Sequence, residues 1–156
     1  MTYELTARRT LESSPEALIS TLTDSTQFAK VAGIAHIDVI RAGEDGPLSR
    51  GTIRKVFLPG GLWLVERYVE VTLTRFDYVI VDSSPDFTHE GGSMVFTPTA
   101  DGKTDGVVVT KYRLNLRYGP TFAERALAPL LRATFSTVLG GLDRVAKQAA
   151  GHATDV

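Results

Sequence analysis

The sequence predicts an α+β domain in which a curved antiparallel sheet wraps around one long C-terminal helix. Between residues 121 and 150, apolar side chains recur every three or four positions, which is the period of one face of an α-helix. From residue 34 to residue 118 the period is two, which is typical of strands that bury one face. The long helix has no apolar partner other than this sheet, so we expect the sheet to curve around it.

The predicted elements begin with a strand at residues 3–10, followed by two short helices. The first helix has strong start signals, because Ser14 can cap it, Pro15 suits its first position and Glu16 favours the positive end of the helix dipole. The second helix is predicted over residues 25–31. Turns rich in Gly and Pro separate six further strands. These strands are predicted at residues 36–42, 51–58, 62–74, 77–83, 92–98 and 107–118.

Composition argues against several classes of function. The 156 residues fit one domain, predicted over residues 1–150, with residues 151–156 as a disordered tail. The net charge of −1, with acids and bases interspersed, argues against nucleic-acid binding. No apolar run is long enough for membrane insertion and the N-terminus has no signal-peptide pattern, so a cytoplasmic location is expected. The chain has no cysteine and no HExxH motif, which argues against a metal site.

Several short motifs occur in a recognisable order along the chain. They are RTLESSPEA at residues 9–17, GTIRKV at 51–56, Glu66-Arg67 in the next strand, the turn at 98–103 and the amphipathic C-terminal helix. In this order they resemble the START-like (SRPBCC) superfamily, which has the helix-grip, or Bet v 1-like, fold. That superfamily includes bacterial polyketide cyclases and dehydrases, ubiquinone-binding proteins, birch-pollen-type allergens and plant abscisic-acid receptors. The resemblance implies the fold more strongly than the function, because this fold hosts carriers, receptors and enzymes.

Side-chain alternation predicts which strand residues face the helix. In the last strand one face is largely apolar and is expected to point inward. It carries Val108, Thr110, Tyr112, Leu114 and Leu116. In residues 51–58 alternation allows either face. In residues 62–74 alternation alone favours an interior of Val65, Val69, Val71 and Leu73.

The resemblance implies another orientation for these two strands. In the receptors of the superfamily, the arginine of the GTIRKV-like motif and the glutamate of the next strand both point inward, which places Arg54 and Glu66 inside. A bulge within residues 62–74 would reconcile the two orientations. A lone buried charge is very costly, so we expect Arg54 and Glu66 to pair, either to orient a ligand oxygen or only to support the fold. The residues expected to point inward with them are Val56, Leu58, Leu64 and Tyr68.

Two histidines are the other titratable candidates. His36 starts the second strand, near the cavity mouth of this fold, whereas His89 is expected in a solvated loop. The Glu90-Gly91-Gly92 motif that follows predicts a turn. The predicted catalytic residues are Arg54, Glu66, Tyr112 and His36. Ligand contacts are predicted at Val56, Leu58, Leu64, Tyr68, Thr110, Leu114, Leu131, Phe135 and Val138.

The resemblance implies two functions of different classes. The first is an enzyme similar to polyketide cyclases and dehydrases, which would cyclise or dehydrate a hydrophobic, oxygenated substrate without a cofactor. Arg54 would then stabilise enolate charge, and Glu66, Tyr112 or His36 would move protons. The second is a non-catalytic carrier or sensor of a lipid, quinone or similar apolar molecule. Small bacterial members often resemble cyclases, which favours a biosynthetic enzyme.

Both functions predict a largely apolar cavity of roughly 300–1,000 Å³. The expected partner is a hydrophobic small molecule. A monomer and a homodimer are both compatible with the sequence.

Overall fold

The computed structural model describes residues 3–84, 87–114 and 120–154. Within these ranges the elements follow each other in the predicted order. The strands are β1 (Tyr3–Leu11), β2 (His36–Arg41), β3 (Ile53–Phe57), β4 (Trp63–Val71), β5 (Arg75–Ser84), β6 (Phe87–Pro98) and β7 (Thr104–Leu114). The helices are α1 (Pro15–Thr23), α2 (Ser25–Phe28) and α3 (Pro120–Thr154), with a short 3-10 turn at Pro59–Gly61.

The strands form one antiparallel sheet in the order β1-β7-β6-β5-β4-β3-β2. The curved sheet holds α3 against β1 and β7, while α1 packs on both α3 and β6. The main core lies between the helices and the inner face of the sheet. The predicted α+β architecture is confirmed. Fully buried members of this core include Leu18 and Leu22 of α1, Phe76 and Phe96 of the sheet, and Leu139 and Leu142 of α3.

Helix α3 extends beyond its predicted range. It continues through Pro129 and includes residues 151–154, which the sequence assigned to a disordered tail. Residues 155 and 156 lie outside the described residues, as do residues 115–118 of the predicted last strand. None of the described helices is long and apolar enough to cross a membrane.

The start of β6 differs most from the prediction, at Phe87 instead of residue 92. β6 pairs with β7 on both sides of a bulge, which lies between His89 and Gly91 and makes Glu90 the extra residue of β6 in the register. Gly91 has a φ of +120°, a conformation that other L-residues rarely adopt. The prediction of a turn at Glu90-Gly91-Gly92 is therefore wrong. The glycines serve a bulge within a continuous strand, which requires the same backbone freedom as a turn.

Asp143 of α3 holds the segment before α1 against the C-terminal helix. Its two carboxylate oxygens accept hydrogen bonds from the backbone N–H groups of Ser13 and Glu12, at 2.9 and 3.1 Å. Burial by itself raises the pKa of Asp143. The hydrogen bonds from Ser13 and Glu12 and the charge of Lys147 together lower this pKa by more than burial raises it. The net pKa lies below its ordinary value, so the folded state favours the ionised carboxylate.

We expect Asp143→Asn to lower the free energy of unfolding at neutral pH by about 1–3 kcal/mol, because charge-assisted hydrogen bonds are lost. The stabilisation by ionised Asp143 is present above the ordinary aspartate pKa and is lost as pH falls through the lower folded-state pKa. Urea unfolding of both proteins from neutral to strongly acidic pH measures this difference. A constant difference between them over that range would contradict the assignment.

Candidate functional site

An internal cavity of about 320 Å³ lies between the inner face of the sheet and the helices. Its volume is within the predicted range, and most of its lining side chains are apolar. The predicted site residues that border it are Arg54, Val56, Leu58, Leu64, Glu66, Thr110, Tyr112, Leu131, Phe135 and Val138. The lining residues that the sequence did not select are Leu22, Phe28, Ile34, Phe76, Tyr78, Ile80, His89, Met94 and Thr134.

Two predicted site residues are not among those that border the cavity. The side chain of His36 is 63% exposed, and its Nε2 lies 2.7 Å from Asp38 Oδ1 on the same strand. Tyr68 is buried, and its hydroxyl donates to the carbonyl oxygen of Thr23 at 2.8 Å. Burial raises the pKa of Tyr68 to about 12. For another predicted ligand contact, Leu114, the side chain lies outside the described part of the chain.

The orientation of β3 and β4 combines the two sequence expectations. Arg54 and Glu66 are direct cross-strand neighbours, and both are buried. Tyr68 also points inward, as the resemblance implies. The next residue, Val69, is extra in the register between β4 and β5 and is 43% exposed. This bulge returns Val71 to the inner side, where it packs against the core, as alternation alone predicts.

Arg54 and Glu66 form a buried ion pair at the cavity wall. The Nε of Arg54 donates to Glu66 Oε1 at 2.5 Å, and one terminal nitrogen, Nη1, donates to the carbonyl oxygen of Leu22 at 2.9 Å. The guanidinium also lies over the rings of Phe28 and Tyr68, with its Cζ 4.6 and 5.0 Å from their centroids. These contacts hold the arginine between the sheet and the short helices, which compensates for burying its charge.

The two members of this pair differ in what they present to the cavity. The side chain of Arg54 is 0% exposed, although the residue borders the cavity. Its second terminal nitrogen, Nη2, is buried and has no hydrogen-bond partner among the described residues. The side chain of Glu66 is 9% exposed, and no described residue is hydrogen-bonded to its Oε2. The carboxylate is therefore the charged group that a bound molecule would meet first.

His89 is buried in β6 and borders the cavity, so its predicted place in a solvated loop is wrong. The backbone N–H of Ile80 donates to His89 Nδ1 at 3.0 Å. Since Nδ1 accepts this bond, the neutral ring carries its proton on Nε2, which lies 2.7 Å from Thr110 Oγ1. Burial lowers the pKa of His89 to about 4. The ring is therefore neutral at pH 7 and donates to Thr110.

Some of the cavity residues that were not predicted have a sequence pattern that indicates an inward-facing side chain. Phe76, Tyr78 and Ile80 alternate along β5, which is the pattern of a strand that buries one face. His89 shows no such alternation with Gly92, because the bulge at Glu90 lies between them. Only the register with β7 reveals that His89 faces inward.

The polar groups of the cavity permit proton transfer and hydrogen bonding. They comprise the Arg54–Glu66 ion pair, a neutral imidazole and the hydroxyl groups of Tyr78, Thr110, Tyr112 and Thr134. Within the described residues, no group of three or more His, Asp or Glu side chains is placed to hold a metal ion.

The low pKa of His89 makes stability depend on pH in a defined window. Between pH 6.5 and about 4, the unfolded chain binds a proton that the folded chain does not bind. Folding stability should therefore fall on acidification through this window, by at most about 1.4 kcal/mol per pH unit. His89→Gln, which cannot titrate, should lack this contribution when urea unfolding is measured at each pH. Equal slopes for the two proteins would show that His89 is not held neutral.

The fold is shared with solved structures that differ widely in sequence. ZhuI aromatase/cyclase from a Streptomyces species superposes with a TM-score of 0.78 at 11% identity, over 96% of each chain. TTHA0849 from Thermus thermophilus has a TM-score of 0.74 at 19% identity, over 94% of this chain and 99% of that one. The chain has the helix-grip fold.

A third helix-grip structure, Ara h 8.0201, has a TM-score of 0.69 at 13% identity, over 95% of this chain and 99% of that one. No protein-family model matches the sequence, and no curated protein matches it either. The predicted resemblance to the START-like superfamily is thus confirmed for the fold. Identities this low establish the shared architecture and leave the activity to the chemistry of the cavity.

Proposed function

We propose that this helix-grip protein binds a hydrophobic, oxygenated small molecule in its cavity and promotes cyclisation or dehydration of that molecule without a cofactor. The observation that carries the proposal is the Glu66 carboxylate, which Arg54 holds through one oxygen at the wall of an apolar cavity. A carboxylate fixed in this way can remove a proton from a carbon next to a carbonyl group. The aromatase/cyclase among the similar structures supports the same reaction class by analogy only.

Each residue then has a defined task. The cavity folds a flexible chain so that a nucleophilic carbon meets a ketone carbon, which by itself can contribute several kcal/mol to the barrier reduction. Glu66 removes the proton from the nucleophilic carbon, a carbon–carbon bond forms, and the ketone oxygen gains a proton. Loss of a second proton and of that hydroxyl group as water completes a dehydration. Tyr112 and Thr110 border the same space and supply hydroxyl groups for hydrogen bonding to ligand oxygens.

Arg54 acts in this proposal as a positioning residue. Direct stabilisation of an enolate requires a guanidinium surface that the substrate can touch, whereas the side chain of Arg54 is 0% exposed. Its contacts are to Glu66, the end of α1 and two aromatic rings. His36 has no assigned role, because its exposed side chain is not among those that border the cavity.

The second candidate is a carrier or sensor of a similar apolar molecule. It is favoured by the neutral state of His89, whose two ring nitrogens already have partners. Glu66 is then the main acid–base group available in the cavity, and its ion pair with Arg54 would only orient the ligand.

Glu66→Gln separates these two functions. Glutamine can still accept the bond from Arg54, but it cannot take a proton. For an enzyme we expect turnover of a synthetic aryl 1,3,5-trione, measured above its spontaneous cyclisation in buffer, to fall by about 100-fold or more while binding is retained. Turnover by wild type that matches the buffer rate would contradict the enzymatic function and favour the carrier.

The ion pair between Arg54 and Glu66 also predicts how the free energy of unfolding changes in the two single variants and the double variant. Either Arg54→Met or Glu66→Leu leaves an unpaired buried charge and should cost about 3–5 kcal/mol. The double variant should recover much of this loss, since a buried pair and well-packed apolar side chains differ little in stability. Urea unfolding measures all three variants. The double variant should remain unable to turn over the trione, and a stable double variant with normal activity would mean that the pair only supports the fold.

A further inference from the structure

Tyr78 has an unusual position in the cavity wall. It is paired in the β5–β6 register with Gly92, which is paired in the β6–β7 register with Thr110. The three residues therefore form one row across the sheet. A Cβ at Gly92 would lie 2.6 Å from Tyr78 Cζ and 2.8 Å from its hydroxyl oxygen. Thus the ring of Tyr78 lies across the glycine, and its hydroxyl group extends toward Thr110.

Two neighbouring aromatic rings hold the ring of Tyr78 in place. Tyr78 stacks between His89 and Phe76, with ring centroids 5.4 and 5.6 Å apart and interplanar angles of 16° and 15°. Tyr78 is 5% exposed and borders the cavity. Its position depends on the bulge at Glu90, which brings both His89 and Gly92 to the inner face.

A chain of hydrogen bonds runs in one direction from Ile80 through His89 to Thr110. Ile80 N–H donates to His89 Nδ1, so His89 Nε2–H donates to Thr110 Oγ1 at 2.7 Å. A hydroxyl that accepts a short bond becomes a better donor, and donation from Thr110 to the phenol oxygen would lower the pKa of Tyr78, which burial raises by more. If Thr110 donates to the phenol oxygen, the phenol proton is left for another acceptor. Burial raises the pKa of Tyr78, so the phenol keeps that proton at neutral pH.

We propose that Tyr78 is a specificity-determining residue that donates a hydrogen bond to a carbonyl oxygen of the bound molecule. The inference rests on the proposed binding function and adds to it the chemical class of the recognised group. A ligand carbonyl satisfies this donor, whereas an apolar group of the same shape leaves a buried O–H without a partner, which is costly. Hence the cavity selects ketones over hydrocarbons of equal size.

Two probes of nearly equal shape test this selection. In 2-acetylnaphthalene a carbonyl oxygen occupies the place of the terminal CH₂ in 2-isopropenylnaphthalene. Calorimetry gives the ratio of their affinities for wild type and for Tyr78→Phe, which retains the stacked ring. We expect the preference for the ketone to fall about five- to tenfold in Tyr78→Phe. The carbonyl stretching band of the bound ketone should also move to higher frequency, because its hydrogen bond is lost.

The matched control is Tyr3→Phe, which removes a hydroxyl from a ring that packs on Tyr112. Tyr3 is not among the residues that border the cavity, so the preference should not change. An unchanged or larger ketone preference in Tyr78→Phe, with an unshifted carbonyl band, would overturn the inference alone. If neither probe bound to wild type, the proposed binding of hydrophobic oxygenated molecules would fail, and the inference with it.

Discussion

The buried charge of Arg54 is the constraint on which the cavity wall depends. A guanidinium with 0% exposure has to find partners inside the protein, and the available partners come from different parts of the chain. Glu66 provides the counter-charge from the neighbouring strand, and the carbonyl oxygen of Leu22 lies at the end of α1. The rings of Phe28 and Tyr68 add contacts from α2 and β4. One side chain thereby joins the short helices to the middle of the sheet.

The cavity that results has two chemically different walls. Helix α3 contributes mainly apolar side chains, including Leu131, Phe135 and Val138. The sheet contributes apolar side chains as well, and with them the carboxylate of Glu66 and the hydroxyl groups of Thr110 and Tyr78. A molecule with oxygens along one edge would therefore place that edge against the sheet and its hydrocarbon part against α3. This asymmetry would suit a polyketide-like chain in an enzyme and an oxygenated ligand in a carrier.

The hydrogen-bond chain from Ile80 through His89 to Thr110 gives a buried histidine the role of a hydrogen-bond donor and not of a base. The bond from Ile80 N–H and the loss of solvation hold the ring neutral and fix its tautomer. Its Nε2–H donates to Thr110, while its basic nitrogen, Nδ1, already accepts the bond from Ile80. Under the proposed function, Glu66 would carry the charge and the proton transfer, and the hydroxyl groups of Thr110 and Tyr78 would orient neutral oxygens of the bound molecule.

The order of strands and helices could be predicted from the sequence because helix and strand periods are local properties of the chain. Much of the cavity lining was also predictable, since Thr110 and Tyr112 alternate on a regular strand. The inward orientation of Arg54 and Glu66 needed the resemblance, because alternation in their strands was ambiguous or pointed the other way. Local patterns did not locate the two β-bulges that decide which residues face the cavity, although the conflict between alternation and the resemblance did suggest a bulge within residues 62–74. The bulge at Val69 changes which residues face inward in β4, and the bulge at Glu90 turns His89 and Gly92 to the same side. A bulge is defined by the register with neighbouring strands that are distant in sequence, so only the tertiary structure decided that His89 belongs to the cavity.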